Sequence, residues 1–163
     1  MWRGETAAFV GRHYQLDEPL CQPQPLSRPH PPILIGGEGE RRTLRLVATY
    51  GDARNFQLGA PLPGYPDWYI ETYHKRASLL GHKLAVLREH CQAVGRPYEA
   101  IERTVLGTVK LAPGAMSADE VVEVCHELAE LGVQQVIYNT PDAHDLRSIE
   151  RIASEIIPRV RAF

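Results

Sequence analysis

Pro31–Asp52, PPILIGGEGERRTLRLVATYGD, runs from a short apolar segment through a glycine-rich turn into a charged, leucine-bearing pattern. Ile33 to Ile35, closed by Gly36 and Gly37, fits a short buried strand. Glu40 to Thr49 follows with Leu44, Val47 and Ala48 at helical spacing. The stretch therefore reads as strand, tight turn, helix. Whether that unit repeats decides the fold.

Downstream it does repeat. Asp52 to Gln57 is a second strand candidate, followed by a loop holding Pro61, Pro63 and Gly64. A long helix is expected from about Asp67 to Val94, with Tyr73, Ala77, Leu80, Leu84, Leu87, Cys91 and Val94 on one face. Gly81 marks a break or kink inside it, and Gly95 and Pro97 end it. Thr104–Leu111, TVLGTVKL, is rich in β-branched residues and reads as a third strand. Ser117 and Glu120 form a capping box for a helix bearing Val121, Val124, Cys125, Leu128 and Leu131. A fourth strand begins at Gln134, and Asp142 or Asp145 caps a last helix with Leu146, Ile149, Ile152, Ala153 and Ile156 on its stripe. Strand and helix alternate four times, which implies parallel strands with right-handed helical crossovers. An open doubly wound sheet and part of a (β/α)8 barrel both fit; a whole barrel needs about 250 residues.

Residues 1–32 differ in kind. Six of the 13 prolines fall between Pro19 and Pro32, so loop or polyproline-like chain is expected, either as a linker or as a structured loop over a site. Domain bounds of 1–32 and 33–163 follow. The 163 residues are 44% apolar and 23% charged, the balance of an ordinary globular domain. A net charge of −2 provides no basic field for nucleic acid or anionic membrane. No apolar run approaches the roughly 20 residues needed to span a bilayer, and the N-terminus lacks a signal-like core, so the cytoplasm is expected. Cys21, Cys91 and Cys125 form no CxxC pair, and the seven histidines show no metal-ligand spacing. Neither a disulfide framework nor a metal is expected.

The turn itself has the chemistry of an anion seat. Gly36, Gly37 and Gly39 let backbone come close to a ligand, and the helix that follows presents free amides and the positive end of its dipole. Arg41 and Arg42 stand where they can add charge-assisted bonds or face solvent. GEGERR departs from the dinucleotide fingerprint, with arginine in place of the third glycine, and no GK[ST] follows to make a P-loop. A ligand-free structural turn is the bland alternative.

FVGRHYQL, then PQPLSRPHPPILIGGEGERRTLRLVATYGDARN, resembles the luciferase-like monooxygenase family, and within it the deazaflavin (coenzyme F420)-dependent oxidoreductases most closely. The shared ordered set is F-x-G-x-x-Y, a proline-rich approach, PPI-x-IGG, a helix ending in A-x-YGD, and an asparagine after it, across residues 9–55. LGVQQVIYNTP agrees with the family's last units. The resemblance implies half of a TIM-type (β/α)8 barrel, four parallel βα units corresponding to strands five to eight, with Ile33, Gln57, Leu106 and Val136 in or beside them. It further implies that the chain starts in the insertion before strand five, behind an irregular Pro-rich segment, with strands one to four absent.

By the same resemblance, Gly36, Gly37, Glu38 and Gly39, with Arg41 and Thr43, seat a cofactor phosphate. The family often carries a smaller or uncharged residue where Glu38 stands, and a carboxylate there would repel a phosphate unless turned away. Asn55, Lys110, Tyr138 and Asn139 are placed near the C-terminal strand rim, and His13 and Tyr14 in a covering segment. The implied cofactor is coenzyme F420, with FMN as the alternative, acting on a small organic substrate. Catalytic groups remain unassigned. Two other functions stay open: a non-catalytic anion-binding half-barrel that self-associates or pairs with a missing N-terminal half, and an independent nucleotide-binding α/β domain. In a half-barrel, Val105 or Leu106, Val109, Val136 and Tyr138 would form an inner strand face short of partners.

Overall fold

A computed structural model describes residues 1–163, and its contacts divide the chain into Met1–Ile33 and Leu34–Phe163. The first unit is not featureless loop. Phe9–Val10 (β1) and Gln15–Leu16 (β2) pair antiparallel, with the Gly11 amide donating to the Tyr14 carbonyl at 2.9 Å. Prolines begin only at Pro19, which leaves residues 9–16 free to pair. Trp2 stacks on His30 with ring centroids 5.4 Å apart.

The second unit is an α/β fold on a four-stranded parallel sheet. Its strands are Leu34–Ile35 (β3), Ala53–Gly59 (β4), Glu102–Thr108 (β5) and Gln135–Asn139 (β6), in the spatial order β3-β4-β5-β6. The order never reverses, so the switch-point crevice of a doubly wound sheet does not form. Thr43–Tyr50 (α1) joins β3 to β4, and Asp67–His74 (α2) and Arg76–Val94 (α3) join β4 to β5. Ala118–Glu130 (α4) joins β5 to β6. Leu146–Arg151 (α5), a π-turn over Ile152–Ile156 and Ile157–Val160 (α6) form a broken last helix.

The expected long helix breaks at Lys75, not at Gly81. Lys75 leaves helical geometry at φ −100°, ψ 12°, and the Arg76 guanidinium takes up the Tyr73 carbonyl at 3.0 Å. The cause lies at the end of β4. Gly59, at φ +80°, lets the Tyr69 carbonyl so close that an added Cβ would sit 2.2 Å from it. That contact fixes α2 against the strand end, while α3 must bury Leu80, Leu84, Leu87 and Cys91. One straight rod cannot do both. Gly81 stays helical, since a glycine in a supported helix costs only about 1 kcal/mol.

Side-chain alternation sorts the sheet into two faces. Ile35, Phe56, Leu58, Val105, Val136 and Tyr138 face the helices and join one core with Leu44, Val47, Leu84, Val121 and Leu128. Leu34, Asn55, Gln57, Thr104, Leu106, Ile137 and Asn139 lie on the opposite face. The expected inner-face set is corrected accordingly. Of the residues named for it, only Leu106 lies there; Val105, Val136 and Tyr138 pack under helices, and Val109 is buried with α4 residues.

The Ser117–Glu120 capping box forms in both directions, and Asp145 rather than Asp142 caps the last helix through the Arg147 amide. That helix buries less than its stripe suggests, with Leu146 71% and Ile149 42% exposed. Pro158 explains its break. Proline has no amide to offer Ser154, and one residue earlier the Ile157 amide reaches back five residues to the Ile152 carbonyl. No helix is long and apolar enough to cross a membrane.

Candidate functional site

The glycine turn leaves the C-terminal end of β3 at Ile35 and enters α1 at Thr43. Gly37 adopts φ +103°, a conformation that disfavours any side chain. A Cβ on Gly39 would lie 3.0 Å from Thr43 Oγ1, so the turn closes tightly over the first helical residue. The Leu44 amide donates to the Gly39 carbonyl at 3.1 Å, and no side chain caps the helix. Its earlier amides are thus available to solvent or to an anion. Gly36 and Gly37 are exposed, as are Arg41 and Arg42, while Thr43 is half-buried.

Beneath the turn lies a residue that the sequence reading missed. Arg54, the second residue of β4, is fully buried. Its guanidinium donates to the carbonyls of Ile35 (3.2 Å), Gly37 and Asn55, and stacks 4.3 Å above the Phe56 ring. Burial lowers its pKa from the ordinary guanidinium value to about 10, which leaves it charged at neutral pH. Its Nε has no partner. A positive group is therefore clamped to both ends of the Ile35–Gly37 segment. The one sequence signal was an arginine on the apolar alternation of a strand, Arg54-x-Phe56-x-Leu58.

Glu38 is held sideways. Its carboxylate pairs with Lys83 of α3 and accepts the Gln57 amide at 3.3 Å. Lys83 is only 19% exposed, and burial lowers its pKa. Glu40 contacts His82 through its carboxylate at 3.2 Å and His90 through its carbonyl at 2.9 Å. The turn is thereby tied to α3 by three side chains.

The remaining candidates are dispersed. Asn55 lies one residue beyond the Ile35–Arg54 pairing, on the opposite face from Arg54, and its Oδ1 accepts from the Thr104 hydroxyl at 2.8 Å. Lys110 and Asn139 are exposed at the C-terminal ends of β5 and β6, where Thr108 pairs with Asn139. Tyr138 is not a rim group: it faces the helices with its hydroxyl 3.6 Å from Cys125 Sγ, and burial pushes its pKa far up. His13 and Tyr14 are exposed between β1 and β2.

A family model described as luciferase-like monooxygenase matches residues 1–154. The chain belongs to the luciferase-like monooxygenase family. Among solved structures, an F420-dependent secondary alcohol dehydrogenase in complex with an F420-acetone adduct superposes with a TM-score of 0.67 at 16% identity. The match covers 98% of this chain and 57% of that one, so the chain spans little more than half the length of this structural relative. At that identity the likeness carries fold alone. No curated protein matches the chain.

Proposed function

We propose that the chain is the C-terminal part of a deazaflavin-dependent oxidoreductase, a (βα)4 half-barrel whose Gly36–Thr43 turn seats the cofactor phosphate. The observation that carries this reading is the turn's geometry: exposed glycine backbone, a positive φ at Gly37, and an uncapped helix start at the C-terminal end of a parallel strand. That donor set fits a phosphate. Backbone amides from Gly36 to Arg42, with Arg41 added, would hold it, and Arg54 would keep the turn open from below by occupying its carbonyls. Coenzyme F420, or FMN as the alternative, would supply hydride or oxygen chemistry toward a small organic substrate. The chain's own part is to bind and orient. Glu38, held by Lys83 and the Gln57 amide, is kept from opposing the phosphate. The Asn55–Thr104 pair offers a polar strip on the helix-free face.

The second reading is an assembly module. It draws on the exposed apolar groups of that same face, with Leu34 50% and Ile137 37% exposed.

Gly36→Val is the sharper test of the site. A Cβ at Gly36 meets nothing within 4 Å and its φ is ordinary, whereas Gly37→Val would strain the backbone itself. The variant should keep the far-UV spectrum and melting midpoint of the parent, yet lose at least about tenfold in affinity for F420 or FMN by fluorescence titration. Unchanged affinity in a folded variant would remove the turn from the binding site.

A further inference from the structure

The last helix does not close fully onto the sheet. The π-turn over Ile152–Ile156 and Pro158 interrupt it, and a cavity of about 460 Å³ remains between it, α4 and β6. Its walls include Val121 and Cys125 of α4, Val136 of β6, and Ile149, Ile152 and Ile157 of the last helix. Ile149 and Ile157 are still 42% and 41% exposed, so aliphatic surface at the cavity meets water. The volume lies within the roughly 300–1,000 Å³ of small-molecule sites.

Charge at this cavity has one sign. Arg161 is the only charged residue lining it, and no aspartate or glutamate does. Other cations of the last helix are paired: Arg151 bonds Glu155 at 2.9 Å and Arg159 bonds Asp119 at 2.7 Å. The Arg161 guanidinium has neither an ion pair nor a hydrogen-bond partner. Phe163 sets its ring edge-on against His126 of α4, with centroids 5.0 Å apart, which holds the segment carrying Arg161 beside the cavity. Both Arg161 and Phe163 are exposed, so they stand at its mouth. An aliphatic interior with an unpaired guanidinium at the opening complements an aliphatic tail that ends in a carboxylate.

We infer that this cavity is a binding site for a medium-chain aliphatic monocarboxylate, whose tail lies among Val121, Ile149, Ile152 and Ile157 and whose carboxylate bonds to Arg161. No resident carboxylate has to be displaced. The strands β6 and β3 are opposite edges of the sheet, so this site does not depend on the cofactor role proposed for the glycine turn.

Sodium octanoate is the probe, hexanoate its shorter homologue and octanamide its neutral control. Each is titrated into the full chain and read from the isoleucine methyl signals by proton–carbon NMR. Octanoate should give saturable one-site shifts at Ile149, Ile152 and Ile157. Its affinity should exceed that of hexanoate about tenfold, because two further methylenes leave water. It should exceed that of octanamide at least about threefold, the worth of a bond to a partly exposed cation. Arg161→Met, which keeps the aliphatic stem, should erase the preference for octanoate and leave octanamide binding unchanged. Ala129→Trp, at an exposed helical position lining the cavity, should fill it and abolish the shifts from all three compounds while the far-UV spectrum persists. No saturable shift with octanoate up to roughly 20 mM overturns the site. Equal affinity for octanoate and hexanoate, an octanoate preference that survives in Arg161→Met, or full octanoate binding by Ala129→Trp overturns it equally.

Discussion

Arg54 shows how one side chain both costs and contributes. Burial lowers its pKa from the ordinary guanidinium value to about 10, a penalty of about 3 kcal/mol for keeping the charge at neutral pH. Against this stand donations to three carbonyls, and a hydrogen bond to a charged donor is worth roughly 1.5–3 kcal/mol. The bonds win. Arg54→Met should therefore destabilise the protein by about 2–3 kcal/mol in urea denaturation, because buried carbonyls lose their donor. Arg54→Lys should not restore the parent, since one ammonium cannot span Ile35, Gly37 and Asn55 as a planar fork does. The pH sign follows from the lowered pKa. From about pH 10 up to the ordinary guanidinium range the unfolded chain holds this proton more tightly, so Arg54's contribution to stability rises with pH across that window. Comparing parent and Arg54→Met midpoints at pH 9 and about pH 11.5 isolates it; a constant gap would contradict the burial of a charged group.

At the scale of elements, sequence was legible where local chemistry decides and illegible where two contacts compete. Ser117 and Glu120 name their own helix start, and the capping box is there. Ser117→Ala should lower stability by about 1 kcal/mol. Hydrogen bonds from the Ser117 amide and hydroxyl hold the Glu120 pKa below the usual carboxylate value. Its contribution is therefore present above pH 4.5 and fades as the pH falls and the carboxylate takes up its proton, so the gap between Glu120→Ala and the parent should be larger at pH 7 than in acid. The helix break was not legible at its true place, because nothing local at Lys75 announces it. It arises from the Gly59–Tyr69 approach, between residues on different elements. Gly81, the local suspect, has open space around its would-be Cβ and helical backbone. Gly81→Ala should stabilise the protein by about 0.5–1 kcal/mol in the same urea assay. A loss of stability would mean that the position is strained after all. The glycine turn itself was read from its residue types, but Arg54 and Lys83 were not, since strand alternation and helix register bring them to it from other segments.

At the scale of the molecule, the sheet is finished on one side and unfinished on the other. Helices cover Ile35, Phe56, Val105 and Val136, whereas Leu34 and Ile137 on the opposite face remain 50% and 37% exposed. The strand β6 pairs only with β5, so a five-residue edge offers unpaired backbone groups beside that apolar face. A (β/α)8 barrel fills the inner face of its sheet with side chains from all its strands, and the structural relative is nearly twice as long as the match. Fully burying one such side chain contributes about 1.5–3 kcal/mol, so half-exposed Leu34 and Ile137, with Leu106 between them in the sheet, favour association over a free monomer. We expect the chain alone to form dimers or larger species at micromolar concentration, measured by light scattering coupled to size exclusion. Leu34→Lys combined with Ile137→Lys should shift it toward monomer, because lysine at a face and an edge opposes pairing. Val136→Lys should unfold it instead, since Val136 packs against the helical core. A parent chain that is monodisperse, monomeric and cooperatively melting would show that the helix-free face tolerates water, and would remove the physical argument for a covering partner.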